Sequence, residues 1–183
     1  MPDNTFETVY IGVGSNINPE INIIKALKLL NEKIKILETS TFYKTKAISN
    51  ESQADYLNGV WKTTTNIDPV KLKFKILRNI ESRLNRIRNN NRYSSRTIDL
   101  DILLYDNKVI KEKNIIIPDP DIYTRSFIAY PLYELNKTGT ELIIPDTAKS
   151  ISSIIKSLDK KELIPDYKLT ESLKKIIDLN IEF

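Results

Sequence analysis

Two acidic residues inside an otherwise apolar segment constrain this chain more than any other feature of its sequence. Residues 96–104 have the sequence RTIDLDILL, which favours a β-strand. Side chains two residues apart share one face of a strand, so Asp99 and Asp101 lie side by side while alternate isoleucine and leucine side chains face the other way. Neighbouring like charges repel each other. The pair therefore predicts either a cation site or a solvated face that tolerates two carboxylates.

The distribution of arginine favours a phosphate-binding role for this region. Six of the seven arginines fall between Arg78 and Arg96, whereas most other cations are lysines. A guanidinium group offers a rigid fork for phosphate oxygens, and magnesium is held by one or two carboxylates plus substrate phosphates. Two ions about 3.5–4 Å apart could share both carboxylates. The alternatives are a basic helix end favoured by the helix dipole and a nucleic-acid backbone site, which the aspartates would weaken.

The absence of two residue types excludes several kinds of chemistry. The 183 residues include no histidine and no cysteine. Histidine-based acid–base catalysis, disulfides, thiolate metal sites and nearly all zinc sites are therefore excluded. The net charge of +4 suits a polyanionic ligand but also a merely soluble surface. With neither a membrane-length apolar run nor a signal sequence, we expect a cytoplasmic enzyme that binds no membrane.

The order of predicted elements indicates an α+β fold. Strands are predicted over residues 8–13, 34–43, 56–65 and 98–105, with helices starting near Pro19 and Pro69. Shorter helices are predicted over residues 127–135 and 151–158, and the last helix is amphipathic. This order is compatible with a ferredoxin-like antiparallel sheet with helices packed on it.

Two further segments are candidates for ligand contact. Residues 12–16, GVGSN, follow a strand and precede a helix, but they match neither a Walker A motif nor a dinucleotide fingerprint. They serve either close packing or ligand proximity. Tyr56 and Asn58 share a strand face, which suits a flat heterocycle as well as ordinary core filling, and Phe127 could be an opposite aromatic plate.

Taken together, these segments resemble the 6-hydroxymethyl-7,8-dihydropterin pyrophosphokinase family over roughly residues 8–158. The matching stretches are Gly14-Ser15-Asn16, Phe42-Tyr43-Lys44-Thr45, Asp55-Tyr56-Leu57-Asn58, Ile80-Glu81, Arg86-Ile87-Arg88, Arg96-Thr97-Ile98-Asp99-Leu100-Asp101, Arg125-Ser126-Phe127 and Pro131-Leu132-Tyr133-Glu134-Leu135. The resemblance implies a ferredoxin-like enzyme that transfers diphosphate from ATP to 6-hydroxymethyl-7,8-dihydropterin, releases AMP and serves folate biosynthesis. Residues 1–158 would form the pyrophosphokinase domain, and residues 159–183 a C-terminal extension, expected to be a packed helix.

The resemblance also implies roles for individual residues. Asp99 and Asp101 would bind two Mg²⁺ ions, with ATP as co-substrate, and Glu81 matches a family acid near the metal site. The residues with an implied catalytic role are Arg86, Arg96, Asp99 and Asp101. The residues implied to bind ATP are Arg88, Tyr93, Arg96, Ile102, Ile115, Asp121 and Arg125. The residues implied to bind the pterin are Thr45, Ile48, Tyr56, Asn58 and Phe127, with the ring between Tyr56 and Phe127.

The chain departs from the family pattern at three positions. Asp119 stands where many members have histidine, so we do not expect it to be a direct phosphate ligand. Tyr93 stands where an indole is common, and Lys46 replaces a frequent proline. Some members are fused to dihydropteroate synthase or dihydroneopterin aldolase, which makes other folate-pathway enzymes candidate partners.

Two rival classes remain open from the residues alone. One is a different magnesium phosphotransferase or nucleotidyltransferase. The other is an RNA-binding module, which would require exposed aromatic residues where the paired aspartates stand. We expect ATP and the pterin as partners, and no nucleic acid.

Overall fold

One six-stranded antiparallel sheet organises the molecule. A computed structural model describes residues 5–47, 53–88, 94–136, 139 and 141–181. The strands of this sheet are β1 (Glu7–Ser15), β2 (Lys35–Thr39), β3 (Phe42–Thr45), β4 (Tyr56–Thr65), β5 (Asp99–Tyr105) and, later in the chain, β10 (Ile164–Asp166). Their order is β10-β3-β4-β1-β5, and β2 also pairs with β4. β1 therefore lies between β4 and β5, and β5 lies at one edge.

Helices cover both faces of the sheet. The helices are α1 (Pro19–Asn31), α2 (Pro69–Lys71), a π-helical segment (Leu72–Leu77), α3 (Arg78–Arg83), a 3₁₀ helix (Pro120–Tyr123), α4 (Ser126–Glu134), α5 (Ile151–Ile155) and α6 (Tyr167–Ile181). Two small hairpins complete the fold, β6 (Ile110–Glu112) with β7 (Ile115–Ile117) and β8 (Ile143–Ile144) with β9 (Lys149–Ser150).

The succession β1, α1, the β2/β3 pair, β4, the α2–α3 helix and β5 follows the ferredoxin-like order. With β5 and β4 on either side of β1, the predicted α+β class with an antiparallel sheet is confirmed. The buried side chains form two clusters, one on each side of the sheet. α1, the π-helical segment, α3 and α6 contribute to the larger cluster, and α4 and α5 contribute to the smaller one. The candidate site lies on the α4 side.

Two predicted elements differ in detail from the observed ones. Residues 34–43 were predicted as one strand but form β2 and β3, separated at Ser40. The Ser40 hydroxyl accepts the N–H of Val60 at 2.9 Å, and the Ser40 N–H donates to the Val60 carbonyl at 2.9 Å. This local pairing of Ser40 with β4 lets the chain bend without leaving buried polar groups unpaired. The helix that starts at Pro69 contains the π-helical segment, which periodicity did not indicate.

The C-terminal residues pack against the sheet. β10 pairs with β3, and α6 buries Leu169, Leu173 and Ile177 in the larger core cluster. The Thr170 hydroxyl accepts the N–H of Phe42 at 2.9 Å. α6 therefore packs on the same core as the sheet, and the division of the chain into residues 1–158 and 159–183 stays a prediction.

Candidate functional site

A cavity of about 240 Å³ opens where β1, β4 and β5 meet the N-terminal end of α4. Antiparallel pairing of β1 with β5 places Gly12 opposite Asp101 and Gly14 opposite Asp99. Both aspartates line the cavity, as the alternation along the strand predicts. The residues that line the cavity are Gly12, Val13, Gly14, Thr45, Lys46, Ala47, Gln53, Tyr56, Asn58, Gly59, Arg96, Asp99, Asp101, Leu103, Asp119, Asp121, Arg125, Phe127 and Ile128.

The two aspartates have opposite electrostatic environments. The carboxylate of Asp99 accepts hydrogen bonds from the guanidinium groups of Arg86 and Arg96. Burial opposes ionisation of Asp99, but the two arginines outweigh it and lower its pKa. Burial, followed by the charges of Asp99 and Asp119, raises the pKa of Asp101 to about 7. Burial and the neighbouring carboxylates thus disfavour the ionised form of Asp101, and a cation bound there would offset this cost, as expected of a metal-binding carboxylate.

The buried carboxylate of Glu81 holds Arg86, one of the two arginines that bind Asp99. Glu81 is only 2% exposed, and its carboxylate binds Arg86 and Arg88, each at 2.5 Å. The same carboxylate accepts the N–H of Leu100 at 3.0 Å, which would otherwise be an unpaired donor at the edge of the sheet. Glu81 thus fixes Arg86, and through Arg86 the position of Asp99, relative to β5.

The turn after β1 holds Arg96 in place. The side chain of Asn16 accepts the N–H of Arg96 at 2.8 Å and donates to the carbonyl of Ala54 at 3.2 Å. The Arg96 carbonyl in turn accepts the N–H of Asn16 at 3.1 Å, and the Ser15 hydroxyl donates to the Thr97 carbonyl at 2.6 Å. The Gly-Ser-Asn motif therefore positions the backbone on both sides of the cavity mouth.

The other end of the cavity has the character of a pocket for a flat heterocycle. β3 pairs with β4 so that Thr45 lies opposite Tyr56, and the Asn58 amide donates to the Thr45 hydroxyl at 2.8 Å. Asn58, through its side-chain carbonyl oxygen, and the aromatic ring of Phe127 line this end of the cavity. A methyl group at Gly14 would lie 2.8 Å from that oxygen. The close approach of the Asn58 side chain to β1 therefore requires glycine at position 14. This agrees with a packing role for residues 12–16 and equally with a position close to a ligand.

Acidic residues and an arginine form the third wall. Asp121 and Arg125 form an ion pair at 3.9 Å. The Asp119 carboxylate accepts the N–H of Asp121 at 2.8 Å and so caps the 3₁₀ helix. Asp119 also lines the cavity, and its relation to a nucleotide stays a prediction.

The structure does not bring every predicted residue into the cavity. Arg86 and Arg88 do not line the cavity, and their guanidinium groups bind the carboxylate of Glu81. The side chains of Ile102 and Ile115 are buried in the larger core cluster, so only their backbone is open to a nucleotide contact. Ile48 and Tyr93 lie outside the described residues.

Several cavity residues were not predicted from the sequence. Gly59, Gln53, Leu103 and Ile128 are the clearest cases. Gly59 had no signal in the sequence, because alternation along β4 turns it away from the face of Tyr56 and Asn58, towards Phe42, where a side chain would lie 2.6 Å from the Phe42 ring.

The donor set fits a metal that is shared with a phosphate ligand. Within the described ranges, no group of three or more acidic, histidine or cysteine residues could hold a metal ion. The pair of Asp99 and Asp101 supplies fewer ligands than a magnesium ion requires, so oxygens of a bound nucleotide would have to supply the rest. The electrostatic environment of Asp101 is consistent with such a site.

The described part of the chain has no helix of the length and apolarity needed to cross a bilayer.

Comparison with known proteins identifies related sequences and structures. The profile of the family described as 7,8-dihydro-6-hydroxymethylpterin-pyrophosphokinase (HPPK) matches residues 10–137. The 2-amino-4-hydroxy-6-hydroxymethyldihydropteridine pyrophosphokinase of Haemophilus influenzae is 36% identical over 86% of this chain and 96% of its own length. The folate synthesis bifunctional protein of Arabidopsis thaliana is 36% identical over 78% of this chain and 29% of its own.

A structural neighbour supports the fold. A crystal structure of a triple mutant of Plasmodium falciparum HPPK-DHPS has a TM-score of 0.63 at 14% identity. It covers 85% of this chain, which spans less than half (44%) of that one. At that identity the likeness concerns the fold alone. The family profile covers more than half of the chain, and the Haemophilus relative is matched almost from end to end, so this chain belongs to the 7,8-dihydro-6-hydroxymethylpterin-pyrophosphokinase family.

Proposed function

We propose that this protein transfers the diphosphate of ATP to 6-hydroxymethyl-7,8-dihydropterin, releasing AMP, in folate biosynthesis. The observation that carries the proposal is that one cavity joins a wall of aromatic and amide groups to a pair of carboxylates flanked by arginine. The first part suits a pterin ring, and the second suits a polyphosphate with its cations. Family membership supplies the reaction that requires both.

The pterin occupies the end of the cavity formed by Thr45, Tyr56, Asn58 and Phe127. Its ring lies between the aromatic groups of Tyr56 and Phe127. The Asn58 carbonyl oxygen accepts from a ring N–H, because its amide group already donates to Thr45. Ile48 is proposed as a further contact from outside the described residues.

The triphosphate lies at the aspartate end. Asp99 and Asp101 would hold Mg²⁺, two ions in this proposal, and bound Mg²⁺ would supply neutralisation of the phosphate charge and a lower pKa for the attacking hydroxyl. Arg96 contacts the transferred phosphates, and Arg86 acts beside it. Arg88, Tyr93, Asp121 and Arg125 bind the rest of the nucleotide, with backbone contacts at Ile102 and Ile115.

The protein's own groups position the reactants. The pterin wall holds the hydroxymethyl group towards the β-phosphorus of ATP, so that its oxygen attacks in line while AMP leaves. Arginine side chains offset the charge that develops on the transferred oxygens. Burial of the reacting atoms in the cavity limits competition by water as an acceptor.

Product analysis tests the proposal. Incubation with ATP, Mg²⁺ and 6-hydroxymethyl-7,8-dihydropterin is expected to release AMP in a 1:1 ratio with the pterin diphosphate. The variant Asp101→Asn is expected to lose this activity while remaining folded. ADP as the nucleotide product, or AMP release that does not depend on the pterin, would contradict the proposal.

Two further parts of the proposal concern the cell. We infer a cytoplasmic location, where ATP and pterins are available. Other enzymes of folate synthesis are candidate partners, because the Arabidopsis relative is named as a bifunctional folate synthesis protein. Co-purification of the tagged full chain with such enzymes would test this inference.

A further inference from the structure

A partly buried carboxylate links the two elements that form opposite walls of the proposed pterin pocket. One oxygen of the Glu134 carboxylate, at the end of α4, accepts the N–H of Thr41 at 2.9 Å. The other oxygen accepts the hydroxyl of Tyr43 on β3, and Tyr43 is only 5% exposed. A side chain that bonds both a backbone N–H and a buried hydroxyl fixes helix and strand relative to each other.

The linked residues share faces with pocket residues. Tyr43 and Thr45 are two residues apart, so they lie on one face of β3, separated by about 7 Å. Phe127 and Glu134 are seven residues apart, which is close to two helical turns or about 10 Å, so they lie on one side of α4. A shift of Glu134 against Tyr43 therefore changes the distance between Phe127 and the wall that contains Thr45.

We propose that Glu134 and Tyr43 are positioning residues that set the width of the pterin pocket. The proposal rests on the proposed function, since the effect is on pterin binding. Neither residue lines the cavity. The two act through Phe127 on α4 and through Thr45 on β3, and the register of β3 with β4 transmits the position of β3 to Tyr56 and Asn58.

The chemistry of the link favours a carboxylate. Two donors converge on Glu134, and a carboxylate presents an acceptor oxygen to each of them. Glutamine could accept the Thr41 N–H with its oxygen and donate an N–H to the Tyr43 hydroxyl, but both hydrogen bonds would lose the charge that strengthens them. Burial, followed by the hydrogen bond to Glu134, raises the pKa of Tyr43, so its hydroxyl remains a donor at any working pH.

A second contact keeps α4 attached when the link is removed. The Tyr10 hydroxyl of β1 donates to the Asn136 side chain at 2.7 Å, and the Asn136 amide donates to the Leu132 carbonyl at 2.7 Å. This contact holds the C-terminal end of α4 on the sheet. Loss of the Glu134 link is thus expected to let the helix shift rather than detach, and the variants should fold.

The test compares Glu134→Gln and Tyr43→Phe with a matched control, Tyr105→Phe. Tyr105 is also a buried tyrosine, but its hydroxyl donates to the Ile67 carbonyl on the opposite side of the sheet, away from the cavity. Steady-state AMP release is measured with the pterin and ATP varied in turn. We expect the KM for the pterin to rise about tenfold in Glu134→Gln and about threefold in Tyr43→Phe. We expect the KM for ATP to stay within twofold, and the control to change neither.

An equal rise of both KM values in Glu134→Gln, or a pterin KM within twofold of wild type, would overturn the proposal. Amide hydrogen exchange over residues 41–45 supplies a readout that requires no substrate. Exchange there should be about tenfold faster in Glu134→Gln than in Tyr105→Phe, and equal exchange would overturn the link itself. Wild-type protein that releases no AMP would instead contradict the proposed function, while the exchange comparison would still decide whether Glu134 holds β3.

Discussion

The same substitution at two neighbouring acids should change stability in opposite directions. Asp99→Asn and Asp101→Asn each replace a carboxylate by an amide of equal size on the same strand face. Asp99 is paired with Arg86 and Arg96, whereas Asp101 is surrounded by further negative charge. In the absence of divalent cations, we expect Asp99→Asn to destabilise the protein and Asp101→Asn to stabilise it.

The raised pKa of Asp101 determines how large the stability gain of Asp101→Asn should be and over which pH range it should appear. Its rise from 3.8 to about 7 corresponds to an upper limit of about 4 kcal/mol of unfavourable free energy when the group is ionised. Because the carboxylate lines an open cavity, solvent screens part of this unfavourable electrostatic free energy. We therefore expect Asp101→Asn to raise the free energy of unfolding by about 1–2 kcal/mol at pH 8. Because the folded state binds this proton more tightly than the unfolded state, wild-type stability falls as the pH rises from about 4 towards 7. The gain in the variant should therefore shrink by more than half at pH 5.

Asp99→Asn should behave in the opposite way. It removes the partner of two partly buried guanidinium groups, which is expected to cost about 2–4 kcal/mol at pH 8. Because the pKa of Asp99 is lowered in the folded state, its contribution is present at neutral pH and is lost only as the pH falls through the acid range.

Thermal unfolding in EDTA at pH 5 and pH 8 measures both effects. For a chain of this length the Tm of Asp101→Asn should exceed that of wild type by about 3–6 °C at pH 8. Activity is expected to be lost in both variants, so the pair separates folding from function. Destabilisation by both substitutions at pH 8, or a gain for Asp101→Asn that does not change with pH, would refute the electrostatic argument.

Three other substitutions test separate parts of the structure. Gly14→Ala places a methyl group 2.8 Å from the Asn58 side chain and is expected to raise the KM for the pterin about tenfold, measured by AMP release, with less change in the KM for ATP. Glu81→Gln weakens the contacts of a buried carboxylate with Arg86 and should lower stability by about 2–3 kcal/mol in urea titration and reduce kcat. Leu173→Ala empties a fully buried position of α6 and should cost about 2–4 kcal/mol by the same titration. A cost below about 1 kcal/mol would show that α6 is not part of the core.

The order of elements was accessible from the sequence because periodicity and turn residues are local signals. The strand predicted from Tyr56 to Thr65 has those bounds in the structure. The break at Ser40 was not accessible, because a hydrogen bond to Val60, a partner distant in sequence, decides it. The burial of Glu81 was equally hidden, since the donor that it satisfies at Leu100 is a consequence of sheet order.

Ile102 shows where two kinds of sequence argument differ. Alternation from Asp101 predicts that the Ile102 side chain faces away from the acidic site, while the family resemblance assigns Ile102 to the ATP site. The structure buries this side chain in the core cluster opposite the cavity. Alternation is therefore right about the side chain, and the assignment to ATP stays a prediction that requires a backbone contact.

The arrangement around Asp99 has a consequence for the order of events at the site. The guanidinium groups of Arg86 and Arg96 pair with the carboxylate of Asp99, so a cation would have to compete with them for it. In the proposed function, the phosphates of ATP would pair with these arginines instead, and the Asp99 carboxylate would become available to Mg²⁺. Among the described residues no arginine pairs with Asp101, so in the proposed function a cation would meet no such competition there. We therefore expect the two acids to differ in their roles: Asp101 is open to a cation, whereas Asp99 must first exchange its arginine partners for one. For this reason, binding of the metal and binding of ATP should favour each other.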